Sequence, residues 1–123
     1  MAQVISQLPE DFSVLSGDDG MTLPLMAIGG LGVISVVSNI VPDKIVAMVT
    51  HANNEEFDKA RKIHYELLEL FNTAFIETNP IPIKAAAAMM NLCEEEYRLP
   101  LCKMSDANRE KLRGCLQRLN IIE

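Results

Sequence analysis

Two adjacent carboxylic acids, Asp18 and Asp19, follow Gly17 at the end of a short, largely apolar segment at residues 12–16. An apolar run bounded by glycine and aspartate is typical of a strand that ends in a loop. Paired carboxylates can act as general acid and general base, or hold a metal ion. Because neighbouring side chains point in different directions, a solvated turn that caps the next helix explains the pair equally well. Both interpretations stay open at the level of sequence.

The two histidines do not predict a metal site. His51 and His64 are thirteen residues apart, and we expect them on different helices or at different helix ends. Two ligands without a third are too few for a protein metal site. The sequence Gly29-Gly30-Leu31-Gly32 precedes a predicted strand instead of a helix, which is the wrong order for dinucleotide binding. We therefore expect no metal ion and no cofactor.

The cysteines and lysines indicate no nucleophile. Cys93, Cys102 and Cys115 are odd in number and lack a close pair spacing, so we predict buried or half-buried free thiols and neither disulfides nor a zinc site. A nucleophilic lysine needs an apolar pocket that lowers its pKa. Each lysine of this chain lies in a polar helical segment, except Lys84, which follows two prolines at a helix start. We therefore predict that the chain contains no catalytic residue.

Two predicted strands must position the acidic pair. The first is the segment at residues 12–16, and the second is Val33–Val37, whose β-branched residues form a poor helix. The second strand is apolar on both faces, as in a parallel strand that is buried on both sides. A helix at Thr22–Ile28, with Pro24 in its first turn, separates the two strands. This order predicts an α/β fold and argues against a small all-helical domain.

Helices account for most of the remaining sequence. Apolar residues recur at helical spacing over residues 2–8, which we interpret as the end of a helix. Asn54 is expected to be the N-cap of a long helix, with Glu55 and Glu56 in its first turn. Residues 76–82 are expected to be extended, because each proline disfavours helix in the residue before it. The other predicted helices begin at Pro42, cover Lys84–Leu92, and run from the cap residue Ser105 to about Leu119.

The composition limits the choice of partners. The net charge of −6 and the pI of about 4.9 argue against binding to a phosphate backbone. No basic leader-like N-terminus and no apolar stretch long enough to span a membrane is present, so we expect a cytoplasmic protein. A hydrophobic content of 49% indicates apolar surface that a partner or a missing half would cover, unless a well-filled helical core accounts for it.

Several segments together resemble the C-terminal part of the dihydrodipicolinate synthase family, which are pyruvate-dependent lyases of the N-acetylneuraminate lyase superfamily. The segments are Ser13–Asp19, Gly29–Asn39, Glu77–Lys84 and Arg98–Leu101. The resemblance extends from about Gln3 to Ile122. It implies the last two strand–helix units of a (β/α)8 TIM barrel in residues 1–52 and a C-terminal three-helix extension in residues 53–123. A complete barrel needs about 250 residues, so the barrel would be incomplete.

The same resemblance implies a substrate-binding site. Gly17 would lie against a bound keto acid, and Asp18 or Asp19 would lie near the second substrate. The backbone carbonyl of Ile34 would lie next to a Schiff-base nitrogen, with the Ile34 side chain in the core. Asn79 of the motif Asn-Pro-Ile-Pro would approach the mouth of the site, although an Asx turn before the proline explains that residue equally well.

The reaction implied by the resemblance is the condensation of pyruvate, held as an enamine on a lysine, with aspartate semialdehyde in lysine biosynthesis. The Schiff-base lysine and the tyrosine acid/base of the family would lie outside this chain, so we expect the chain to be inactive alone. The implied partners are the two substrates and either further copies of the chain or a missing N-terminal half. The alternatives are a self-associating half-barrel or fragment-complementation module, a small pyruvate binder, and another aldolase or lyase of the superfamily.

Overall fold

Two short strands pair in parallel near the start of the chain. The computed structural model describes all 123 residues, and strand β1 (Leu15–Ser16) lies beside strand β2 (Gly32–Val33) in a two-stranded sheet. The Ile34 amide donates to the Ser16 carbonyl at 2.8 Å, so the pairing continues one residue beyond β2. A short helix, Thr22–Met26, connects the two strands. The predicted parallel pair with a helix between its strands is confirmed.

The rest of the chain is helical or irregular. The helices are α1 (Ala2–Ile5), α2 (Thr22–Met26), α3 (Pro42–Asn53), α4 (Phe57–Thr73), α5 (Ile81–Met89) and α6 (Asp106–Arg118), with a 3-10 helix at Val37–Asn39. The chain divides into two compact units, residues 1–65 and 66–123, and the boundary lies within α4. The sequence predicted a different division, into a barrel segment at residues 1–52 and a helical extension at residues 53–123. The two compact units do not test that division, so it stays a prediction.

A tight glycine turn ends α2 and starts β2. Gly29 adopts a φ of +105°, which a residue with a side chain rarely adopts. The Gly30 amide donates to the Leu25 carbonyl at 2.9 Å, as in a Schellman motif at a helix end. A Cβ atom on Gly30 would lie 2.6 Å from Leu25 Cγ. The return of the chain from α2 to the sheet therefore depends on glycine at position 30.

The second strand is shorter than predicted. We expected a strand at Val33–Val37, but β2 ends at Val33 and a 3-10 helix covers Val37–Asn39. The amides of Val36 and Val37 donate to the Asp19 carboxylate instead of to a neighbouring strand. The β-branched residues therefore predicted the start of the strand correctly and its length incorrectly.

The Ile34 side chain is not part of the core. It is 70% exposed, because Ile34 lies just past the end of β2, so the expectation of a core side chain is wrong. The core of the first unit forms instead from buried side chains on α2, the 3-10 helix, α3 and α4. They include Leu25, Val37, Ile45, Met48 and Ala60.

The junction between α3 and α4 differs from its prediction. Asn54 is the C-cap of α3 and not the N-cap of the next helix, which begins at Phe57. Glu55 takes a left-handed φ of 61°, and the Glu56 amide donates to the His51 carbonyl at 2.8 Å. The chain thus closes α3 and starts α4 within a tight connection, which leaves Glu55 outside the first turn of α4.

A carboxylate from a distant part of the sequence holds the start of α6. Ser105 is the N-cap residue, as predicted, but its hydroxyl makes no capping bond and donates to Glu77 Oε1 at 2.8 Å. The Ser105 amide (3.1 Å) and the Asn108 side-chain amide (2.8 Å) donate to the same oxygen. These hydrogen bonds from Asn108 and Ser105 lower the pKa of Glu77. Glu77 therefore anchors the N-cap residue and the first turn of α6, and its negative charge lies at the N-terminus of that helix.

The start of α5 and the exposure of two thiols also differ from the predictions. The expected extended segment at residues 76–82 is too long, since α5 begins at Ile81 with Pro82 in its first turn, where a missing amide costs nothing. Cys115 is buried in α6, as predicted. Cys93 and Cys102 are exposed, because they lie in the segment between α5 and α6 that forms no helix or strand.

Candidate functional site

The carboxyl ends of β1 and β2 meet at one edge of the small sheet. Gly17 and Asp18 follow β1 directly, and Ile34 and Ser35 follow β2. The hydrogen bond from the Ile34 amide to the Ser16 carbonyl fixes the two loops in register. In parallel α/β folds, functional side chains gather at this edge. The predicted residues of the first unit are thus brought together here.

Asp19 is buried and ties the two loops to each other. Its side chain is 1% exposed. The Ser35 hydroxyl donates to Asp19 Oδ1, while the amides of Val36 and Val37 donate to Oδ2 at 3.0 and 3.3 Å. Ser35 Oγ also accepts a hydrogen bond from the Ser38 amide at 2.9 Å. The carboxylate of Asp19 therefore holds the loop after β2, on which Ile34 lies.

Asp18 is exposed and holds the turn before α2. Its Oδ1 atom accepts a hydrogen bond from the Met21 amide at 3.1 Å. Its backbone is held by Ser16, whose hydroxyl donates to the Asp18 carbonyl at 2.7 Å, and by Thr22, whose hydroxyl donates to the same carbonyl at 3.0 Å. The two acids thus have different surroundings. Only Asp18 has a carboxylate that faces solvent at the strand ends.

Gly17 borders open space. A Cβ atom built on it would meet nothing within 4 Å, and its φ is not in the left-handed region. A cavity of about 420 Å³ lies beside it, lined largely by apolar side chains such as Ile5, Leu15 and Met21. Neither packing nor backbone conformation within this unit therefore requires glycine at position 17. The residue leaves room beside the end of β1 instead.

Ile34 presents its main chain to the same edge. Its amide is occupied by the Ser16 carbonyl, whereas its own carbonyl oxygen accepts no hydrogen bond within the chain. A backbone carbonyl without a partner can accept a hydrogen bond from a ligand. The side chain at this position faces solvent and adds an apolar surface.

Asn79 belongs to the second unit. It lies in the turn before α5, its side chain is exposed, and the peptide bond between Asn79 and Pro80 is cis. The Asn79 side chain makes no hydrogen bond within the chain, so the predicted Asx turn does not form. The Ile81 amide donates to the Thr78 carbonyl at 2.9 Å and closes this turn instead.

The other candidate groups do not form a reactive centre. None of the lysines is buried, and Lys84 Nζ lies 5.6 Å from the centre of the Tyr97 ring. His51 Nδ1 pairs with Glu56 Oε2 at 2.6 Å. Burial lowers the pKa of His64. No three His, Cys, Asp or Glu side chains come together in an arrangement that could hold a metal ion.

Sequence reasoning missed Ser35 as a partner of Asp19. The two residues are 16 positions apart, and nothing in the local sequence pairs them. The available signal was the pair Ser35 and Ser38, whose spacing is typical of a serine turn that would end the predicted strand early.

Comparison with known proteins agrees with this arrangement. A profile of the dihydrodipicolinate synthetase family matches residues 1–119. The chain belongs to the dihydrodipicolinate synthase family. The 4-hydroxy-tetrahydrodipicolinate synthase of Aquifex aeolicus is 49% identical over 121 residues, which are 98% of this chain and 41% of that enzyme. The enzyme of Methanosarcina acetivorans is 48% identical over an alignment of 124 positions, which covers 100% of this chain and 43% of that enzyme.

Solved structures of dihydrodipicolinate synthases share the fold of this chain. The Aquifex aeolicus crystal structure superposes with a TM-score of 0.95 over 98% of this chain and 41% of its own. The Acinetobacter baumannii enzyme, solved in complex with pyruvate, is 35% identical with a TM-score of 0.94 and matches over 42% of its length. The chain therefore spans about two fifths of these relatives and corresponds to their C-terminal part. No helix of the chain is both long and apolar enough to cross a membrane.

Proposed function

We propose that this chain forms the last two strand–helix units of a (β/α)8 barrel, with its C-terminal helical extension, in a lyase that condenses pyruvate with aspartate semialdehyde. The observation that carries the proposal is the parallel pair β1–β2, whose carboxyl ends bring Gly17 and Ile34 to one edge. A solved relative with the same fold over 98% of this chain contains pyruvate. Active sites of such barrels lie at the carboxyl ends of the strands.

Each residue at this edge has a distinct role in the proposal. The open space at Gly17 admits the keto acid, and the free carbonyl of Ile34 accepts a hydrogen bond from the nitrogen of the Schiff base. The exposed carboxylate of Asp18 faces the second substrate. Asp19, which is buried, keeps the two loops in register. Asn79, in the turn before α5, stays a proposed substrate-binding residue.

The nucleophile of the proposed reaction comes from outside this chain. A lysine amine adds to the ketone of pyruvate with loss of water, and the resulting imine loses a proton to give the enamine that attacks the aldehyde. The six lysines here are exposed or half-buried, and none lies in the apolar pocket that this chemistry needs. The complete enzyme is then a cytoplasmic oligomer in which the rest of the barrel supplies the lysine, the tyrosine acid/base and further subunit contacts.

A chimera tests the proposal directly. This chain replaces the matching part of the Aquifex aeolicus enzyme, which is 49% identical to it, and the product is assayed for condensation of pyruvate with aspartate semialdehyde. We expect the chimera to have a rate of condensation within about tenfold of the parent enzyme's rate. A tenfold loss corresponds to about 1.4 kcal/mol of transition-state stabilisation. A chimera that melts cooperatively yet shows no condensation contradicts the proposal.

Variants of the chimera separate substrate binding from folding. Gly17→Val fills the open space beside the proposed keto acid, and we expect it to raise the KM for pyruvate while the melting temperature stays close to that of the chimera. Glu10→Gln, at an exposed position in the loop between α1 and β1, serves as the matched control and leaves both quantities unchanged. A Gly17→Val chimera with an unaltered KM would remove Gly17 from the site.

A further inference from the structure

We propose that a polar cavity in the second unit binds a small monocarboxylate, with Arg113 as the group that holds the carboxylate. The cavity measures about 640 Å³ and lies between the end of α5, the loop at residues 91–95 and one face of α6. This volume is within the range of small-molecule sites. All of its lining residues fall within residues 88–113, so the cavity includes none of the residues at the strand ends.

One wall of the cavity is a fixed ion pair. Arg109 Nη1 contacts Glu95 Oε2 at 2.5 Å, and the two side chains are only 29% and 14% exposed. The Tyr97 hydroxyl lies 3.3 Å from the other Glu95 oxygen and 3.2 Å from the Ile81 carbonyl oxygen, so the two oxygens share its one proton. Burial and the charge of Glu95 raise the pKa of Tyr97 to about 12, so this hydroxyl keeps its proton at neutral pH. The charge of Glu95 is therefore already paired with Arg109, at the same wall of the cavity.

Arg113 is the cationic side chain of the cavity that has no close ion pair. It follows Arg109 by one helical turn and lies on the same face of α6. Its ion pair is loose, since Nε lies 3.7 Å from Oε1 of Glu110, which is 71% exposed. Such an exposed pair contributes little. The terminal nitrogens of Arg113 make no hydrogen bond within the chain, and a planar guanidinium with free N–H groups binds a carboxylate through two parallel hydrogen bonds.

Two loop residues define the ligand more closely. Asn91 lines the cavity just after α5, in a left-handed conformation with a φ of 59°, and its side-chain amide makes no hydrogen bond within the chain. This amide group supplies an uncharged hydrogen-bond donor for an anion, in addition to the charged donors of Arg113. Glu94, which is exposed, also lines the cavity, and its negative charge disfavours a second carboxylate. A ligand with one carboxylate and a neutral or cationic remainder fits these charges.

An NMR titration of the 123-residue chain tests this site. Propionate is the probe, and propionamide is its uncharged counterpart. We expect propionate to shift the backbone amides of Asn91 and Arg113 saturably, with a millimolar Kd, and propionamide to leave them unchanged. Arg113→Gln should weaken binding by at least about tenfold, the range for a charged hydrogen bond. Arg113→Lys should weaken it less, because the charge remains but the paired donors are lost.

Two further variants complete the test. Arg61→Gln removes an arginine of the first unit that is 52% exposed and should leave the propionate Kd unchanged. Glu94→Gln removes the opposing charge and should lower the Kd. The proposal is overturned if propionate gives no saturable shift, if propionamide binds equally well, or if Arg113→Gln binds like the unmodified chain. If Arg113→Gln fails to fold, Arg113→Lys and Glu94→Gln decide the question.

Discussion

Asp19 illustrates how a single buried carboxylate can define a loop. It receives hydrogen bonds from Ser35 Oγ and from the amides of Val36 and Val37. An asparagine has one acceptor oxygen where aspartate has two, so at least one of these donors loses its partner. We expect Asp19→Asn to lower the free energy of unfolding by about 1–3 kcal/mol, the cost of an unsatisfied buried group. Urea unfolding monitored by circular dichroism measures this change.

The neighbouring acid provides a matched control for that prediction. Asp18→Asn makes the same chemical change at an exposed position and keeps the Oδ1 atom that accepts from the Met21 amide. We expect its free energy of unfolding to stay within about 0.5 kcal/mol of the unmodified chain. Equal losses in the two variants would show that the network around Asp19 adds no specific stability.

At the level of single residues, the sequence indicated the place of the site but not the task of each side chain. Gly17, Asp18 and Asp19 were expected at a strand end from local composition alone, and they lie there. The burial of Asp19 depends on Ser35, which is 16 positions away and reaches it only through the pairing of β1 with β2. Such long-range hydrogen bonds leave no signal in a local sequence pattern.

At the level of elements, the turn between α2 and β2 makes a prediction about two glycines. A Cβ atom on Gly30 would lie 2.6 Å from Leu25 Cγ and 3.1 Å from the Leu25 carbonyl oxygen. Gly30→Ala should therefore lower the free energy of unfolding by about 1–3 kcal/mol through overpacking. Gly17→Ala, where the added methyl group meets no atom, should leave it nearly unchanged. Thermal melts of both variants check the difference, and a milder effect at position 30 than at position 17 would contradict it.

The start of α6 makes a second element-level prediction, on pH dependence. The pKa of Glu77 is lowered from its ordinary value of 4.5 by hydrogen bonds from Asn108 and Ser105. A carboxyl whose pKa is lowered by folding stabilises the fold above its ordinary pKa, and this contribution is lost as the pH falls through the lowered value. The melting temperature of the unmodified chain should therefore fall more steeply below about pH 4.5 than that of Glu77→Gln.

Glu110→Gln is the control for the pH experiment. Glu110 lies on the same helix, is 71% exposed and has only the loose pair with Arg113. Its replacement should leave the pH dependence of the melting temperature like that of the unmodified chain. If Glu77→Gln and the unmodified chain lose stability in parallel as the pH falls, the Glu77 carboxylate does not stabilise the start of α6.

Helix ends show which elements could be predicted from the sequence. The start of α6 at Ser105 followed from its residue type and the apolar spacing after it. The start of α4 did not, because Asn54 suits a cap at either end of a helix and the left-handed Glu55 allowed α3 to use it as its C-cap. The early start of α5 was missed because Pro82 is tolerated in a first turn as well as in an extended segment.

At the level of the whole molecule, the position of the lysines predicts the behaviour of the isolated chain. None of the six is buried, so none lies in the apolar pocket that would activate its amine as a nucleophile. We expect the intact mass of the chain to stay the same after incubation with pyruvate and borohydride. The Aquifex aeolicus relative, treated in the same way, serves as the comparison. A single stoichiometric adduct on this chain would refute the proposal that the nucleophile comes from elsewhere.

Family membership was the part of the whole-molecule description that the sequence predicted best. The motifs at residues 13–19, 29–39, 77–84 and 98–101 are local, and the family match covers residues 1–119. The cavity beside Arg113 could not be anticipated, because it depends on how the irregular loop at residues 91–95 packs against α6. Loops without regular periodicity give sequence analysis little to interpret.

Because the surroundings of Gly17 are empty, substitutions of increasing size at this position can measure the free space beside it. Since an added methyl group there meets no atom of the chain within 4 Å, a series of growing side chains at position 17 would lengthen into free volume before it strained the fold. In the complete lyase proposed above, the size at which turnover stops would report the clearance around the proposed keto acid. The same position would then be the first choice for engineering acceptance of a bulkier or a smaller donor substrate.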